Sequence, residues 1–253
     1  MILLNIDQKK YGNTFELSDI KLKIAPSKVT LLLGHNGSGK TTIIKSLLGL
    51  TEYKGNCSIE DTNISYKDSE SINFMKKNIS YISDHAALYE FLTPYEYFNL
   101  IKSMQSKVVD ESYLERLIKL FEIGKYLKVP IGDLSYGNKK KVQIVSHLCW
   151  KPKYVVFDEP TNGLDPDMVI ILKKVLQVVK GKGTGILLST HNLSFGENLM
   201  DHIIIIRNGN ELLNSSIQEL IKKFGTFDLE SIYQSVNEEY YQEIEGLIHE
   251  LSL

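Results

Sequence analysis

The chain has 253 residues, of which 43% are hydrophobic and 24% are charged. This is the composition of a globular protein with enough apolar residues for a sizeable core, and it excludes a disordered, fibrous or collagen-like chain. The 29 basic and 31 acidic residues leave a formal net charge of -2. Because this charge creates no strong overall field, we expect no nucleic-acid partner, and any anionic ligand must be held by a local site.

The sequence shows no sign of export or of a membrane span. Its apolar runs are far shorter than the roughly 18 residues that cross a bilayer, and the apolar residues 1–6 are too few for a signal peptide. The two cysteines, Cys57 and Cys149, lack the spacing of a zinc site or a disulfide framework. We therefore interpret them as small core residues and expect a reducing, cytoplasmic location.

Strands of two kinds are predicted. Ile20, Leu22 and Ile24 alternate with lysines, which is the pattern of a half-exposed antiparallel strand in an edge sheet near the N-terminus. Four later runs are apolar at every position except Thr30, as is typical of parallel strands buried on both faces. They are residues 29–33, 154–157, 186–188 and 203–206. Because helical stretches separate these runs, the sequence predicts an α/β fold.

Helices are predicted in the middle and at the end of the chain. Residues 95–104, 111–121 and 137–149 have helical patterns with no strand signal between them, which indicates a helical subdomain over about 85–150. After Gly209 the pattern becomes that of amphipathic helices, followed by a Glu-rich segment at 240–251. We therefore predict a main domain over 1–210 and a short helical appendage over 211–253.

A glycine-rich segment joins the strand at 29–33 to a helix. It fits the pattern G-x-x-x-x-G-K-[ST] in the required strand–loop–helix context. Glycines let backbone N–H groups turn inward, and the helix N-terminus attracts phosphate. The candidate nucleotide ligands are Gly34, Asn36, Gly37, Ser38, Gly39, Lys40, Thr41 and Thr42. We predict that Lys40 bridges the β and γ phosphates and that Thr41 binds Mg²⁺; the alternative is a glycine-rich turn without a ligand.

A second candidate site lies where the strand at 154–157 runs into two carboxylates, Asp158 and Glu159. In P-loop NTPases an aspartate at this position holds Mg²⁺, which assigns Asp158 to the metal. Glu159 is placed to polarise an attacking water as a general base. The alternative is a solvated acidic turn, which is common for an isolated Asp-Glu pair.

Three further segments complete a pattern. Leu134-Ser135-Tyr136-Gly137-Asn138 precedes the acidic strand, Gly163-Leu164-Asp165-Pro166 follows it, and Ser189-Thr190-His191 ends the next strand. Together and in this order they resemble the nucleotide-binding subunit of ATP-binding cassette (ABC) transporters, over about residues 3–210. The resemblance implies a P-loop (RecA-like) α/β fold with an N-terminal antiparallel β-subdomain and an inserted α-helical subdomain. It also implies ATP hydrolysis with ATP and Mg²⁺.

The resemblance assigns roles to five more residues. In the family two subunits pack head to tail, so Ser135 and Gly137 would contact the γ-phosphate of ATP in the partner subunit. His191 would sense the γ-phosphate and Asp165 would link the two sites. Tyr11 is placed like the aromatic residue that stacks on adenine. A structural histidine at a strand end and a tyrosine on an edge strand are the alternatives for His191 and Tyr11.

The sequence also departs from the family pattern. Asp84 stands where the family usually has Gln; a carboxylate can ligate Mg²⁺ but cannot donate a hydrogen bond. Tyr136 and Asn138 replace the usual Gly and Gln beside the phosphate contact. Three lysines, Lys139, Lys140 and Lys141, lie in the first turn of the predicted helix, where cations oppose the helix dipole. They either interact with phosphate from a partner site or are solvated.

We expect two partners, a second copy of the subunit and an integral membrane permease that attaches the chain to the inner face of the cell membrane. The family receives the permease in the groove after Asp84, near Tyr89, Phe91 and Leu92, although these could also be core residues. Family resemblance favours export of a peptide, antibiotic or lipid-like compound. The alternatives are an ABC ATPase of translation or DNA repair and a regulatory ATP-dependent dimerisation module.

Overall fold

One sheet of ten strands runs through the computed structural model, which describes residues 1–12, 14–105 and 109–251. Its order is β5-β4-β1-β2-β10-β9-β3-β8-β7-β6. The strands are β1 (Ile2–Tyr11), β2 (Phe15–Ile24), β3 (Val29–Leu33), β4 (Lys54–Ile59), β5 (Thr62–Asn63), β6 (Ile79–Ile82), β7 (Tyr154–Asp158), β8 (Gly185–Thr190), β9 (His202–Arg207) and β10 (Asn210–Ser216).

Helices pack on both faces of this sheet. They are α1 (Lys40–Leu47), α2 (Ser69–Asn78), α3 (Pro94–Met104), α4 (Glu111–Leu120), α5 (Tyr136–Leu148), α6 (Pro166–Gly181), α7 (Leu193–Glu197), α8 (Ile217–Phe224), α9 (Leu229–Val236) and α10 (Glu238–Leu251). None of the helices in the described ranges is long and apolar enough to cross a membrane.

The core half of the sheet is parallel, and the four apolar runs form its strands β3, β7, β8 and β9 as predicted. Successive residues along each strand enter different hydrophobic clusters: Leu31 and Leu33 pack on one face, and Leu32 packs on the other. This burial on both faces explains why the alternation of a half-exposed strand is missing. Because β3, β7 and β8 are parallel neighbours, the residues that follow them meet at one edge of the sheet.

The N-terminal half of the sheet is antiparallel, as the alternating residues predict. β1 pairs with β2 and β4, and Ile20, Leu22 and Ile24 of β2 are buried while Lys21 and Lys23 between them are exposed. The strands of this half therefore form the expected β-subdomain beside the parallel core, and the α/β fold class is confirmed.

The predicted helices of the middle segment are present as α3, α4 and α5, and no strand lies among the described residues between them. Thr93 and Glu96 form a reciprocal capping box at the start of α3, and Asp110 and Ser135 cap α4 and α5. Side-chain oxygens thereby accept backbone N–H groups that the first helical turn leaves unpaired.

The segment after Gly209 differs from the prediction. Residues 210–216 form strand β10, which pairs antiparallel with β9 and touches β2, so helical structure begins only at Ile217. The strand contains only two apolar residues, Leu212 and Leu213, and therefore lacks a recognisable alternation.

Candidate functional site

A cavity of about 360 Å³ opens beside the glycine-rich loop at the carboxyl end of β3. It brings together nine of the predicted site residues with Phe15, which sequence reasoning missed. The lining residues are Tyr11, Phe15, Asn36, Gly37, Gly39, Lys40, Thr41, Thr42, Asp84 and Glu159. Residues far apart in the chain thus share one cavity, as the motif interpretation requires.

The backbone of the loop requires glycine at several positions. Gly37 and Gly39 have φ angles of 83° and 116°, in the left-handed region that glycine tolerates. A Cβ at Gly34 would lie 2.4 Å from the carbonyl oxygen of Ile206 and 2.5 Å from Ser38 Oγ. Ser38 is fully buried beneath the loop. The loop is therefore packed tightly against the sheet, and α1 begins directly from it at Lys40.

Lys40 lies inside this loop and is buried. Its Nζ donates hydrogen bonds to the carbonyl oxygens of Gly34 at 2.8 Å and His35 at 3.2 Å. The same ammonium lies 3.4 Å from Glu159 Oε1. These contacts hold a positive charge at the position where a phosphate-binding lysine is expected.

Thr41 and Asp158 lie side by side at the ends of α1 and β7. Thr41 Oγ1 donates to Asp158 Oδ2 at 3.0 Å, and Ser189 Oγ donates to Asp158 Oδ1 at 2.8 Å. No cluster of three or more His, Cys, Asp or Glu side chains within the described ranges could hold a metal ion alone. A hydroxyl and a carboxylate nevertheless fit Mg²⁺, which prefers oxygen ligands and commonly takes the remainder from phosphates and water.

Glu159 follows Asp158 in a strained backbone conformation. Its φ of 46° is in the left-handed region, which is unusual for a residue with a side chain. Its Oε2 lies 3.0 Å from His191 Nδ1, and Oε1 faces Lys40. The carboxylate is thus buried between two basic side chains at the cavity.

Hydrogen bonds hold both the backbone and the side chain of Asp84. Asn162 Nδ2 donates to Asp84 Oδ1 at 2.8 Å, while Tyr136 OH and Lys140 Nζ donate to its carbonyl oxygen at 3.0 and 2.9 Å. Asn162 and Lys140 had no predicted role here. Asn162 lies three residues after Glu159 in the turn that begins there, which is the one local signal that could have indicated it.

The adenine candidate Tyr11 ends β1 and is 42% exposed at the edge of the cavity. Its hydroxyl lies 3.4 Å from Thr51 Oγ1, and Lys9 Nζ lies 4.6 Å from its ring centroid. The hydrogen bond with Thr51 is the main cause that lowers the pKa of Tyr11. The ring is therefore accessible to a flat ligand. β1 pairs with both β2 and β4, so the alternative of a tyrosine on an edge strand is wrong.

Ser135, Gly137 and Asp165 do not line this cavity. Ser135 caps α5 and Asp165 caps α6, where its side chain accepts a hydrogen bond from the Met168 N–H. A Cβ at Gly137 would lie 2.5 Å from the carbonyl oxygen of Gly163, so the start of α5 packs directly on the loop before α6. These residues form a second surface, separate from the nucleotide loop.

Residues 17–162 match the family model described as ABC transporter. The chain belongs to the ABC transporter family. It is 31% identical to the lantibiotic transport ATP-binding protein SrtF of Streptococcus pyogenes, over 90% of this chain and 93% of the relative. It is 31% identical to the ABC-type transporter ATP-binding protein EcsA of Bacillus subtilis, over 94% of this chain and 98% of that relative.

A solved ATP-binding subunit of an ABC transporter superposes on this chain with a TM-score of 0.83 and 28% identity, over 94% of this chain and 99% of that one. A nucleotide-free ATP-binding cassette shares the fold with a TM-score of 0.71 at 21% identity. This ABC protein is therefore a transporter subunit that binds ATP, and its ATPase activity is coupled to transport.

The three lysines of the ABC subunit's α5 have protein partners, so the solvated interpretation is wrong for them. Lys139 Nζ lies 2.7 Å from Glu90 and Lys141 Nζ 3.5 Å from Asp165. Lys140 is fully buried, and its ammonium contacts backbone carbonyl oxygens. Burial lowers the pKa of Lys140 to about 8, against the opposing effect of the carboxylates of Asp84, Asp158 and Glu159. These contacts satisfy the lysines without phosphate.

Aromatic side chains are exposed beyond Asp84. Tyr89 is 53% and Phe91 is 79% exposed, and their ring centroids lie 5.9 Å apart, while Leu92 is half-buried. The interpretation of Tyr89 and Phe91 as core residues is therefore wrong.

The two cysteines, Cys57 and Cys149, are buried and unpaired, as predicted.

Proposed function

We propose that Glu159 is the general base for ATP hydrolysis in this subunit and that the subunit energises a separate membrane permease that exports a peptide, an antibiotic or a lipid-like compound. One observation carries the assignment of the base: the buried Glu159 carboxylate lies at the nucleotide cavity between Lys40 and His191. A carboxylate in this position can accept the proton of an attacking water.

The other residues of the site bind and orient the substrate. Lys40 and the N–H groups of the loop bind the phosphates, Tyr11 stacks on adenine, and His191 holds Glu159 through a hydrogen bond and responds to the γ-phosphate. Thr41 and Asp158 would hold Mg²⁺, with Asp84 as a further ligand. When bound, Mg²⁺ neutralises charge on the β and γ phosphates during transfer to water.

We also propose that two copies of the chain complete each other's sites. Ser135 and Gly137 lie outside the cavity of their own chain, at the start of a thirteen-residue helix whose N-terminus favours an anion. Asp165 lies beside them through the contact between Gly137 and Gly163. This arrangement supports their contact with ATP bound by a partner copy.

The permease is proposed to dock on the exposed Tyr89 and Phe91, next to Leu92. Docking there would hold the subunit at the inner face of the cell membrane. The relative that is named for lantibiotic transport supports the peptide or antibiotic class of substrate.

Glu159→Gln tests the proposed base. The variant should bind ATP at least as tightly as wild type but lose turnover by about a hundredfold or more, because the amide cannot accept the proton. It should also form an ATP-stabilised dimer in size-exclusion chromatography. Glu115→Gln makes the same change at an exposed residue of α4 outside the cavity and is the matched control. Hydrolysis by Glu159→Gln at the wild-type rate would contradict the assignment.

Copurification tests the transporter assignment. A tagged chain extracted in mild detergent should carry a membrane protein with several spans, and Phe91→Ala should weaken that association. Recovery of the chain without any membrane subunit would contradict the proposed permease. Transport of labelled peptides by the isolated complex then distinguishes the substrate classes.

A further inference from the structure

One face of α5 carries four polar side chains, which we call the α5 polar stripe: Tyr136, Lys140, Gln143 and His147. Their spacing of four, three and four residues places them along one side of the helix. Each of them contacts β6 or the segment that follows it, over residues 80–85. Gln143 Nε2 donates to Ser83 Oγ at 3.0 Å, and His147 Nδ1 lies 2.9 Å from Ser80 Oγ.

Lys140 is the charged member of the stripe and is fully buried. Its ammonium donates to the carbonyl oxygens of Ser83 at 2.7 Å and Asp84 at 2.9 Å. Taking a charge out of water is unfavourable, and a buried charged group is a poor source of stability compared with an apolar side chain of similar size. The two hydrogen bonds of Lys140 instead fix the local geometry of the backbone.

That geometry concerns the backbone of Asp84. The carbonyl groups of Ser83 and Asp84 belong to the two rigid peptide planes on either side of the Asp84 Cα atom. One ammonium that binds both oxygens restricts the φ and ψ angles between those planes. Tyr136 OH adds a second donor to the Asp84 carbonyl, and Asn162 fixes the carboxylate oxygen Oδ1. Asp84 is thereby held in the wall of the ATP cavity.

We propose that Lys140 is a positioning residue that fixes the Asp84 carboxylate at the nucleotide through the two flanking carbonyl groups. This inference rests on the proposed function, in which Asp84 acts at the bound nucleotide. Because Lys140 lies on α5, whose N-cap is Ser135, it also connects Asp84 to the surface proposed to contact the partner copy.

Lys140→Met in the full chain tests the proposal, since methionine keeps most of the length and removes the donors. We expect kcat for ATP hydrolysis to fall about tenfold while KM for ATP changes by less than about twofold, because Lys40 and the loop are untouched. Lys139→Met is the matched control: it removes the neighbouring charge, whose partner is the exposed Glu90, and should leave kcat unchanged.

The Asp84→Ala background separates positioning from general destabilisation. If Lys140 acts through Asp84, the double variant Asp84→Ala, Lys140→Met should hydrolyse ATP within about twofold of Asp84→Ala alone. Full additivity of the two effects would overturn the proposal. So would an unchanged kcat in Lys140→Met.

Tyr136→Phe keeps the proposal testable if Lys140→Met folds poorly, and hydrogen exchange adds a structural measurement. Tyr136→Phe removes an exposed donor to the same Asp84 carbonyl and should lower kcat about threefold in wild type but not in Asp84→Ala. Hydrogen exchange of Lys140→Met should show faster exchange in residues 79–87 and not in α6; equal exchange would overturn the proposal. A wild-type protein that binds no ATP would overturn the proposed function. If the wild type is active and Lys140→Met hydrolyses ATP at the same rate, only this inference is overturned.

Discussion

Lys40 and Glu159 form a buried ion pair at the ATP cavity, with Nζ and Oε1 3.4 Å apart. The attraction within such a pair only partly offsets the cost of removing both charges from water. A phosphate group in the loop offers Lys40 other negatively charged oxygens. ATP therefore competes with Glu159 for the ammonium, and this contact couples phosphate binding to the carboxylate that we propose as the base.

Substitutions of Asp84 should change the Mg²⁺ dependence of the ATPase activity in steps. Asp84→Asn removes a charge but keeps an oxygen that can coordinate Mg²⁺ and accept from Asn162, whereas Asp84→Ala removes both. We expect the Mg²⁺ concentration for half-maximal ATPase activity to rise from wild type to Asn to Ala, by about three- to tenfold per step. Magnesium titration of the three proteins measures this order. The same half-maximal concentration in all three would show that Asp84 is not a ligand.

The residues that sequence reasoning identified at the site are those encoded by local motifs. Lys40 and Thr41 follow β3 through the glycine-rich loop, and Asp158 is the last residue of β7. Both strands pair in parallel with β8 and end at one edge of the sheet, so the proximity of these residues could be predicted. Lys140 could not be identified in this way. Its contacts with Ser83 and Asp84 span 57 and 56 residues and depend on how α5 packs on β6.

At the scale of elements, the start of α5 depends on a glycine. Gly137→Ala places a Cβ 2.5 Å from the Gly163 carbonyl oxygen, so the helix and the loop must move apart. We expect a loss of about 1–3 kcal/mol in the free energy of unfolding, together with weaker ATP-dependent dimerisation. Gly181→Ala, where a Cβ meets open space, is the control. Denaturant unfolding and size-exclusion chromatography measure the two effects, and identical behaviour of both variants would contradict this packing argument.

The other end of the α5 polar stripe predicts a pH dependence. Burial, reinforced by the charge of Lys140, lowers the pKa of His147 to about 4. In the unfolded chain a histidine pKa is near 6.5, so below about pH 6.5 the unfolded state binds a proton that the folded state does not. His147 therefore destabilises the fold as pH falls from about 6.5 to 4, by up to about 1.4 kcal/mol per pH unit.

His147→Gln removes the titrating group and should make the free energy of unfolding fall less steeply over this range. Urea unfolding at about pH 7 and about pH 5 gives the comparison. His85→Gln, at an exposed histidine, is the matched control. Equal pH dependence in wild type and His147→Gln would contradict the assignment of this effect to His147.

Elements were predictable where hydrophobic pattern and burial agree. The four buried strands and the helices α3, α4 and α5 show this agreement. β10 does not, because pairing with β9 stabilises a mostly polar segment whose own sequence lacks a period of two. Tertiary pairing also defines the two-residue strand β5, which pairs with the end of β4.

At the scale of the whole molecule, the cavity and the Ser135 surface lie apart in one chain. Ser135, Gly137 and Asp165 do not line the cavity that contains Lys40 and Glu159. The proposed dimer predicts that a complete ATP site takes its phosphate loop from one copy and Ser135 from the other. Mutations in the two surfaces should therefore complement each other in mixed dimers, which a self-contained site could not do.

Ser135→Arg and Lys40→Ala subunits test this prediction when they are mixed. Each variant alone should not dimerise with ATP. Ser135→Arg blocks both shared contacts, and Lys40→Ala weakens phosphate binding at both loops. A heterodimer keeps one site with both an intact loop and an intact Ser135, so mixing should restore dimers that contain both subunits. Distinct affinity tags and sequential purification with ATP measure them. Normal ATP-dependent dimerisation of Ser135→Arg alone would contradict the shared site, because one chain would then provide every contact that its own ATP requires.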